Sequence, residues 1–257
     1  MKTFSLLLLI GIILLSCKKE NNGYNANFRG LLGLEFDNVA GSEDLKLITG
    51  TYTNASGETF SVRNLQYFIS NISLVKTDGT EYIVPQDSSY FMINESASVN
   101  AMPVLKIPEG EYKELRFIVG VDSLRNTMDI SKRTGVLAPT LNNYFNENNG
   151  YIFFNMEGTS PQAPGGTYKF HIGGYGGKTS ATINNIKKIS IDLSARGMVK
   201  IREGNESVIH MLVDVTRVFT GTTNVSLATN NIVEFHPFSV NIANNYALMY
   251  THDHTHN

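Results

Sequence analysis

The chain has 257 residues and an almost balanced charge, with 21 Lys and Arg against 23 Asp and Glu and a formal net charge of −2. This balance argues against a nucleic-acid-binding protein, which normally carries a basic face. With 42% hydrophobic and 10% aromatic residues the chain is not disordered, and the 17% charged fraction argues against a coiled coil. A single cysteine excludes an intrachain disulfide.

Residues 1–16 have the features of a bacterial lipoprotein signal peptide. Lys2 precedes an apolar run, Phe4–Leu15, of about 12 residues, which is shorter than the roughly 20 that cross a membrane. Leu14–Cys17 then follows the lipobox pattern, an aliphatic residue and a small residue before cysteine. The thiol of Cys17 is therefore the predicted site of lipidation. The alternative is an ordinary signal peptide with an incidental cysteine.

Three segments are predicted along the chain: a signal peptide over 1–16, a lipidated polar tether over 17–27, and one β-rich domain with a His-rich C-terminal tail over 28–257. A lipid anchor followed by a polar tether holds a domain at a membrane without spanning it. The sequence therefore predicts a cell-envelope protein on a bacterial membrane, with the outer membrane favoured and the leaflet open.

The body of the chain is predicted to be an all-β, antiparallel β-sandwich with long loops and at most short helices. Alternating apolar residues, many of them β-branched or aromatic, indicate half-buried strands, and Gly, Pro, Asn and Asp clusters separate them. A short helix is expected within Ser123–Arg133. The predicted strands are Leu31–Val39, Leu65–Val75, Tyr112–Val121, Tyr151–Met156, Ile186–Leu193 and Val208–Val218.

Catalytic patterns are scarce, so the protein is predicted not to be an enzyme. The sequence has no G-x-S-x-G elbow, no Walker loop and no H-E-x-x-H, and its single cysteine is assigned to the anchor. The glycine-rich stretch His171–Gly177 (HIGGYGG) lacks the strand–loop–helix context of a dinucleotide site and is interpreted as a tight turn.

Histidine is the unusual feature, because three of the six histidines, His252, His254 and His256, fall within the last six residues. In an extended chain these three imidazoles would share one face, with Asp253 opposite them or acting as a ligand. Imidazole is a ligand that copper, zinc and nickel favour. The alternative is a solvated, frayed tail. His210, inside an alternating segment, is interpreted as a packed or edge residue.

From Phe36 onward, the order of short motifs resembles the MbnP-like family of bacterial envelope proteins, named for proteins associated with copper handling and methanobactin gene clusters. The ordered set, which covers roughly residues 28–257, carries the resemblance rather than any single motif. The matching segments are Asn64–Leu74 (NLQYFISNISL), Ile107–Tyr112 (IPEGEY), Leu115–Asn126 (LRFIVGVDSLRN), Gly135–Pro139 (GVLAP), Gly150–Gly158 (GYIFFNMEG), Tyr168–Gly174 (YKFHIGG), Asp214–Gly221 (DVTRVFTG) and Ile242–Asn257 (IANNYALMYTHDHTHN).

The resemblance implies a copper-binding, non-catalytic β-rich protein. In characterised members, a di-haem partner of the cytochrome c peroxidase type oxidises a client Trp to kynurenine at the metal site. Members usually carry a W-x-W pair before the G-Y-I-F stretch, and the corresponding residues here are Phe145 and Glu147. The chain has no Trp, so this modification cannot occur and the di-haem partner is less strongly implied. Glu147 could instead supply an oxygen ligand.

The resemblance also indicates a ligand set, because His171 matches the family's H-I-G-G histidine, and His254 and His256 match its paired C-terminal histidines. Copper is the expected metal, with zinc as the alternative, and the expected role is metal scavenging, buffering or delivery. The rival hypothesis is a metal-free surface module for carbohydrate or protein, which the loss of both Trp positions favours. The candidate metal ligands are His171, His252, His254, His256 and Glu147.

Overall fold

The computed structural model describes residues 23–97, 102–138 and 143–257, which form two β-sheets packed face to face. The predicted signal peptide 1–16 and the predicted lipidation site Cys17 lie outside the described residues, as does the tether up to residue 22. Within the described ranges, no helix is long and apolar enough to cross a membrane.

The described residues contain sixteen strands and two short α-helices. The strands are β1 (Arg29–Ala40), β2 (Glu43–Asp44), β3 (Tyr52–Thr53), β4 (Thr59–Lys76), β5 (Glu81–Ile83), β6 (Tyr90–Asn94), β7 (Val104–Pro108), β8 (Gly110–Val119), β9 (Tyr144–Asn146), β10 (Gly150–Thr159), β11 (Thr167–Gly173), β12 (Lys187–Asp192), β13 (Val199–Ile201), β14 (Glu206–Asp214), β15 (Ile232–Glu234) and β16 (Tyr250–His256). The helices are α1 (Ser123–Asn126) and α2 (Ser239–Tyr246).

The small sheet has the strand order β16-β14-β1-β2, and β7 also pairs with β1. The all-β sandwich is confirmed, but the sheets are mixed rather than purely antiparallel. In the small sheet β1 runs parallel to β14, with Leu31 opposite Glu206 and Val39 opposite Asp214. A parallel pair cannot be closed by a hairpin and needs a long crossover. Here most of the chain lies between the two strands, a connection that local sequence patterns do not reveal.

The large sheet has the order β12-β8-β4-β10-β11-β15, with β3, β5, β6, β9 and β13 pairing along it. Its last pair, β11 and β15, is also parallel. The side chains that alternate inward from both sheets form one main core. Leu32, Leu34 and Phe36 of β1 are buried, as their alternation predicts, and the Phe36 ring meets Phe117 edge-on with centroids 6.0 Å apart. Edge-to-face contacts of this kind hold the two sheets together.

Several boundaries differ from the sequence prediction. The strand predicted over Val208–Val218 ends at Asp214, whose side chain accepts a hydrogen bond from the Thr216 amide and starts a 3₁₀ turn over Val215–Phe219. The turn predicted at His171–Gly177 begins later, because His171 lies within β11 and the positive φ angles occur only from Gly174 onward. The predicted helix within Ser123–Arg133 is confirmed but ends at Asn126.

The described part of the tether is docked on the domain. The Arg202 guanidinium lies over the Tyr24 ring, 3.7 Å from its centroid, and one of its nitrogens donates to the Gly23 carbonyl at 2.9 Å. The Asn25 amide donates to a carboxylate oxygen of the buried Glu109, also at 2.9 Å. The chain is therefore fixed to the sandwich from Gly23 onward.

Candidate metal centre

The C-terminal tail is an ordered strand rather than a frayed end. β16 pairs antiparallel with β14, so that His254 lies opposite His210 and His252 lies opposite Met211. One residue lies between the two histidines while their partners are adjacent, which places a β-bulge at Asp253. The bulge reverses the alternation of side chains, so His252 points with Met211 toward the interior. The expectation that all three tail histidines share one face is therefore wrong for His252.

His210, His254 and His256 converge on the outer face of the small sheet. Each offers a ring nitrogen, and these three nitrogens all lie within 4.8 Å of one another. The Nε2 atoms of His254 and His256 are 3.1 Å apart. The His210 and His254 rings stack with centroids 4.2 Å apart, and the His256 ring stands edge-on to both. We call these three residues the three-histidine site.

Two carboxylates orient two of these rings, those of His210 and His254, by contacting Nδ1. Glu35, opposite His210 in the parallel β1–β14 register, has a carboxylate oxygen 2.9 Å from His210 Nδ1. Asp253 reaches His254 Nδ1 at 2.7 Å. A carboxylate oxygen accepts, so each Nδ1 donates its proton and the ring's lone pair lies on Nε2. Carboxylate–histidine pairs of this kind fix the tautomer and orientation of metal ligands.

The surroundings of the site are acidic. Partial burial and the carboxylates of Asp44, Glu35 and Asp253 raise the pKa of Asp37 above its ordinary value, and His210 opposes this effect. Burial is the largest cause of this shift, and the carboxylates crowded along β1 and its neighbours add to it. A positive ion held at this face would lower that repulsion.

The donor set fits a borderline transition metal. An ion bound tetrahedrally at roughly 2.0–2.1 Å separates two ligand nitrogens by about 3.4 Å. The observed 3.1 Å between His254 and His256 is close to that separation. Copper and zinc accept imidazole ligands, and three protein ligands leave a fourth position for water or an exogenous group.

His171 does not join this site. It lies on β11 in the large sheet, where Nε2 is 2.5 Å from Glu157 and Nδ1 is 3.0 Å from Glu234. Both ring nitrogens therefore face carboxylate oxygens, which occupy the positions that a metal ion would need. The predicted grouping of His171 with the tail histidines does not form in the described residues.

Glu147 is likewise separate from the three-histidine site. It follows β9, and its exposed carboxylate pairs with Lys178 at 3.1 Å. Phe145, the other residue at a family Trp position, packs edge-on against Phe235 with centroids 4.3 Å apart. No Glu147 atom belongs to the metal-competent group found among the described residues.

His252 has a packing role. Its side chain is buried, and its Nε2 lies 3.0 Å from Thr255 Oγ1. Burial lowers the pKa of His252 below its ordinary value, which favours the neutral ring. His252 therefore contributes to the seam between β16 and the interior rather than to the metal-competent face.

Sequence reasoning missed His210 and Glu35. Both occupy outward positions of alternating strands, and that pattern alone indicates only exposed polar residues. Their role depends on the parallel register of β1 with β14 and on the pairing of β14 with β16. Those pairings bring together residues about 175 positions apart in the chain, as in Glu35 and His210.

Comparison with known proteins identifies the family of this chain. A family model described as MbnP matches residues 29–239. The chain belongs to the MbnP family. The fold is similar to that of MbnP from Methylosinus trichosporium, with a TM-score of 0.53 and 14% identity, covering 77% of this chain and 83% of that chain. No curated protein sequence matches the chain.

Membership in the MbnP family suggests a copper-related role. The family match includes His210 but ends before β16, so His254 and His256 lie beyond it. The metal-competent geometry therefore rests on the side chains of this chain itself.

Proposed function

We propose that this member of the MbnP family is a non-catalytic, lipid-anchored protein of the bacterial envelope that binds one transition-metal ion. Copper is the preferred metal and zinc the second. The ligands are His210, His254 and His256, and the role is metal scavenging, buffering or delivery. The observation that carries the proposal is the convergence of three ring nitrogens within 4.8 Å of one another.

One physical argument favours copper over zinc, and a second supports metal binding in general. Copper(II) stands at the top of the stability order for divalent ions on nitrogen ligands, with zinc below it. The Nδ1 positions of His210 and His254 are already occupied by carboxylates, so their rings are oriented for binding before the ion arrives. Ligands held in place on paired strands lose little entropy when they bind.

The first experiment is calorimetric titration of the purified full-length protein with Cu(II) and with Zn(II). We expect one saturating equivalent. The double variant His254→Ala/His256→Ala should lose that binding, and the matched control His236→Ala should retain it, because His236 is an exposed histidine whose Nδ1 accepts from the Phe238 amide. Unchanged stoichiometry in the double variant would overturn the assigned site.

The lipid anchor is tested separately. Mass spectrometry of protein extracted from membranes should show a diacylglycerol adduct at Cys17, and Cys17→Ala should abolish it. A membrane-free wild-type protein without the adduct would overturn the anchor without affecting the metal proposal.

The competing function is a metal-free binding module on the same fold. The absence of Trp at Phe145 and Glu147 favours that alternative, and our proposal includes neither a kynurenine ligand nor a di-haem partner. If the wild-type protein binds neither Cu(II) nor Zn(II) saturably, the module becomes the preferred function.

A further inference from the structure

We infer that Glu35 and Asp253 make the three-histidine site selective for copper in its divalent state, Cu(II), over Cu(I). The inference rests on the proposed function, because it concerns the ion that the same three imidazoles would hold. Neither carboxylate is assigned as a ligand. Each acts through the histidine to which it is hydrogen-bonded.

An ion held at Nε2 of His210 and His254 would lie one imidazole ring away from each carboxylate. Glu35 lies 2.9 Å from His210 Nδ1, and Asp253 lies 2.7 Å from His254 Nδ1. An ion bound at the opposite nitrogens would therefore receive negative charge from two sides. Hydrogen bonding to a carboxylate also makes an imidazole a stronger donor. Both effects stabilise an ion of charge +2 more than an ion of charge +1.

The two carboxylates are not equivalent. The second oxygen of Asp253 lies 3.5 Å from a guanidinium nitrogen of Arg196, which offsets part of its charge. Glu35 is held by strand register opposite His210 rather than by the bulge. We therefore expect Glu35 to contribute more of the preference for Cu(II) than Asp253.

Sulfur ligands, which favour Cu(I), have a limited place at this site. Met211 follows His210 directly, but its side chain is fully buried on the other face of β14. Met102 is the relevant competitor, because its thioether lies against Gly33 of β1 on the outer face. A move of Met102 onto the ion would add a thioether ligand and favour Cu(I), and this makes Met102→Leu a diagnostic variant.

The test compares affinities for the two copper ions in the full-length protein. Competition with a Cu(II) chelator and, under reducing anaerobic conditions, with a Cu(I) chelator gives both constants, and spectroelectrochemistry of the copper-loaded protein gives the potential. We expect Glu35→Gln to weaken Cu(II) binding about 10-fold while changing Cu(I) binding less than about 3-fold. Each tenfold loss of Cu(II) affinity relative to Cu(I) affinity raises the one-electron reduction potential of the bound copper by about 59 mV.

The controls separate the possible results. Asp253→Asn should shift the potential in the same direction by less, and Glu206→Gln, an exposed glutamate at the start of β14, should leave it unchanged. Equal weakening of Cu(I) and Cu(II) in Glu35→Gln would overturn the selectivity and leave only a positioning role. Tight Cu(I) binding that Met102→Leu abolishes would overturn it as well. Failure of the wild-type protein to bind either ion would instead contradict the proposed function.

Discussion

Each of the two sheets carries histidine hydrogen-bonded to carboxylates, yet among the described residues only the three-histidine site of the small sheet is suited to a metal. In the small sheet, His210 and His254 each meet one carboxylate through Nδ1, and neither Nε2 contacts a carboxylate within the part of the chain that the structure describes. In the large sheet, His171 meets Glu157 through one nitrogen and Glu234 through the other. One carboxylate at Nδ1 therefore leaves the other nitrogen of an imidazole for a metal, whereas carboxylates at both nitrogens leave none.

This difference could not be read from the residue types. His171 lies in a glycine-rich motif that matches the family, whereas His210 lies in an ordinary alternating strand. From the sequence, the family motif made His171 the stronger candidate for a metal ligand. The pairing of strands in the structure instead makes His210 the candidate.

The largest expected effect comes from His210→Ala. This substitution removes one of three ligands and leaves Glu35 without its imidazole partner, so we expect the affinity for Cu(II) to fall by at least about 100-fold, or about 2.7 kcal/mol. Isothermal titration at neutral pH measures it. Because His210 is half-buried on the outer face, the melting temperature should change little. An affinity within threefold of wild type would remove His210 from the site.

A second prediction concerns Glu58, whose ionisation affects the stability of the fold and not the three-histidine site. Glu58 is buried, and its carboxylate accepts from the amides of Leu227 and Ala228 at 2.7 and 3.0 Å and from Ser226 Oγ at 2.7 Å. Burial opposes ionisation, but these hydrogen bonds and that from Asn54 prevail and lower the pKa of Glu58. Its contribution to stability is therefore present above the ordinary glutamate pKa and is lost as the pH falls through the lowered value.

We expect Glu58→Gln to lower the free energy of unfolding by about 2 kcal/mol at pH 7, because the charged hydrogen bonds to the loop amides become weaker or unpaired. The difference between wild type and variant should narrow as the pH falls. Urea unfolding at several pH values measures it, and Cu(II) affinity at pH 7 should stay unchanged. A constant difference down to pH 3 would contradict the ionic role of Glu58.

The smallest effect is expected for His171→Ala. The two glutamates that contact His171 are more than one-third exposed, so the loss should be about 1 kcal/mol in the free energy of unfolding. Metal stoichiometry and affinity should remain those of the wild type. Loss of copper binding in this variant, with the fold intact by circular dichroism, would restore His171 to the ligand set and reverse the comparison between the two sheets.

Much of the fold follows from the pattern of the sequence. The alternation Leu32, Leu34, Phe36 predicts the buried face of β1, and the structure confirms it. Two features did not follow from that pattern. The parallel pairing of β1 with β14 depends on long-range topology. The helix α2 has an Asn-rich sequence that resembles a turn.

The site was predictable in part. The structure brings His254 and His256 together, as expected for an extended tail, because residues two apart on a strand share a face. The bulge at Asp253 separates His252 from them, and one extra residue in a strand leaves no clear mark in the sequence. The third histidine came from a strand about 40 residues earlier, which only tertiary structure identifies.

The docking of Tyr24 and Asn25 onto Arg202 and Glu109 sets a limit on distance. Gly23 lies six positions after Cys17, and a fully extended chain of six residue steps reaches at most about 20 Å. An acyl chain on Cys17, as we propose, would keep Gly23, the point where the chain docks on the sandwich, within that height of the bilayer. A protein that exchanges metal with the three-histidine site would then have to reach a domain held beside the membrane, either from solution or from an anchor of its own.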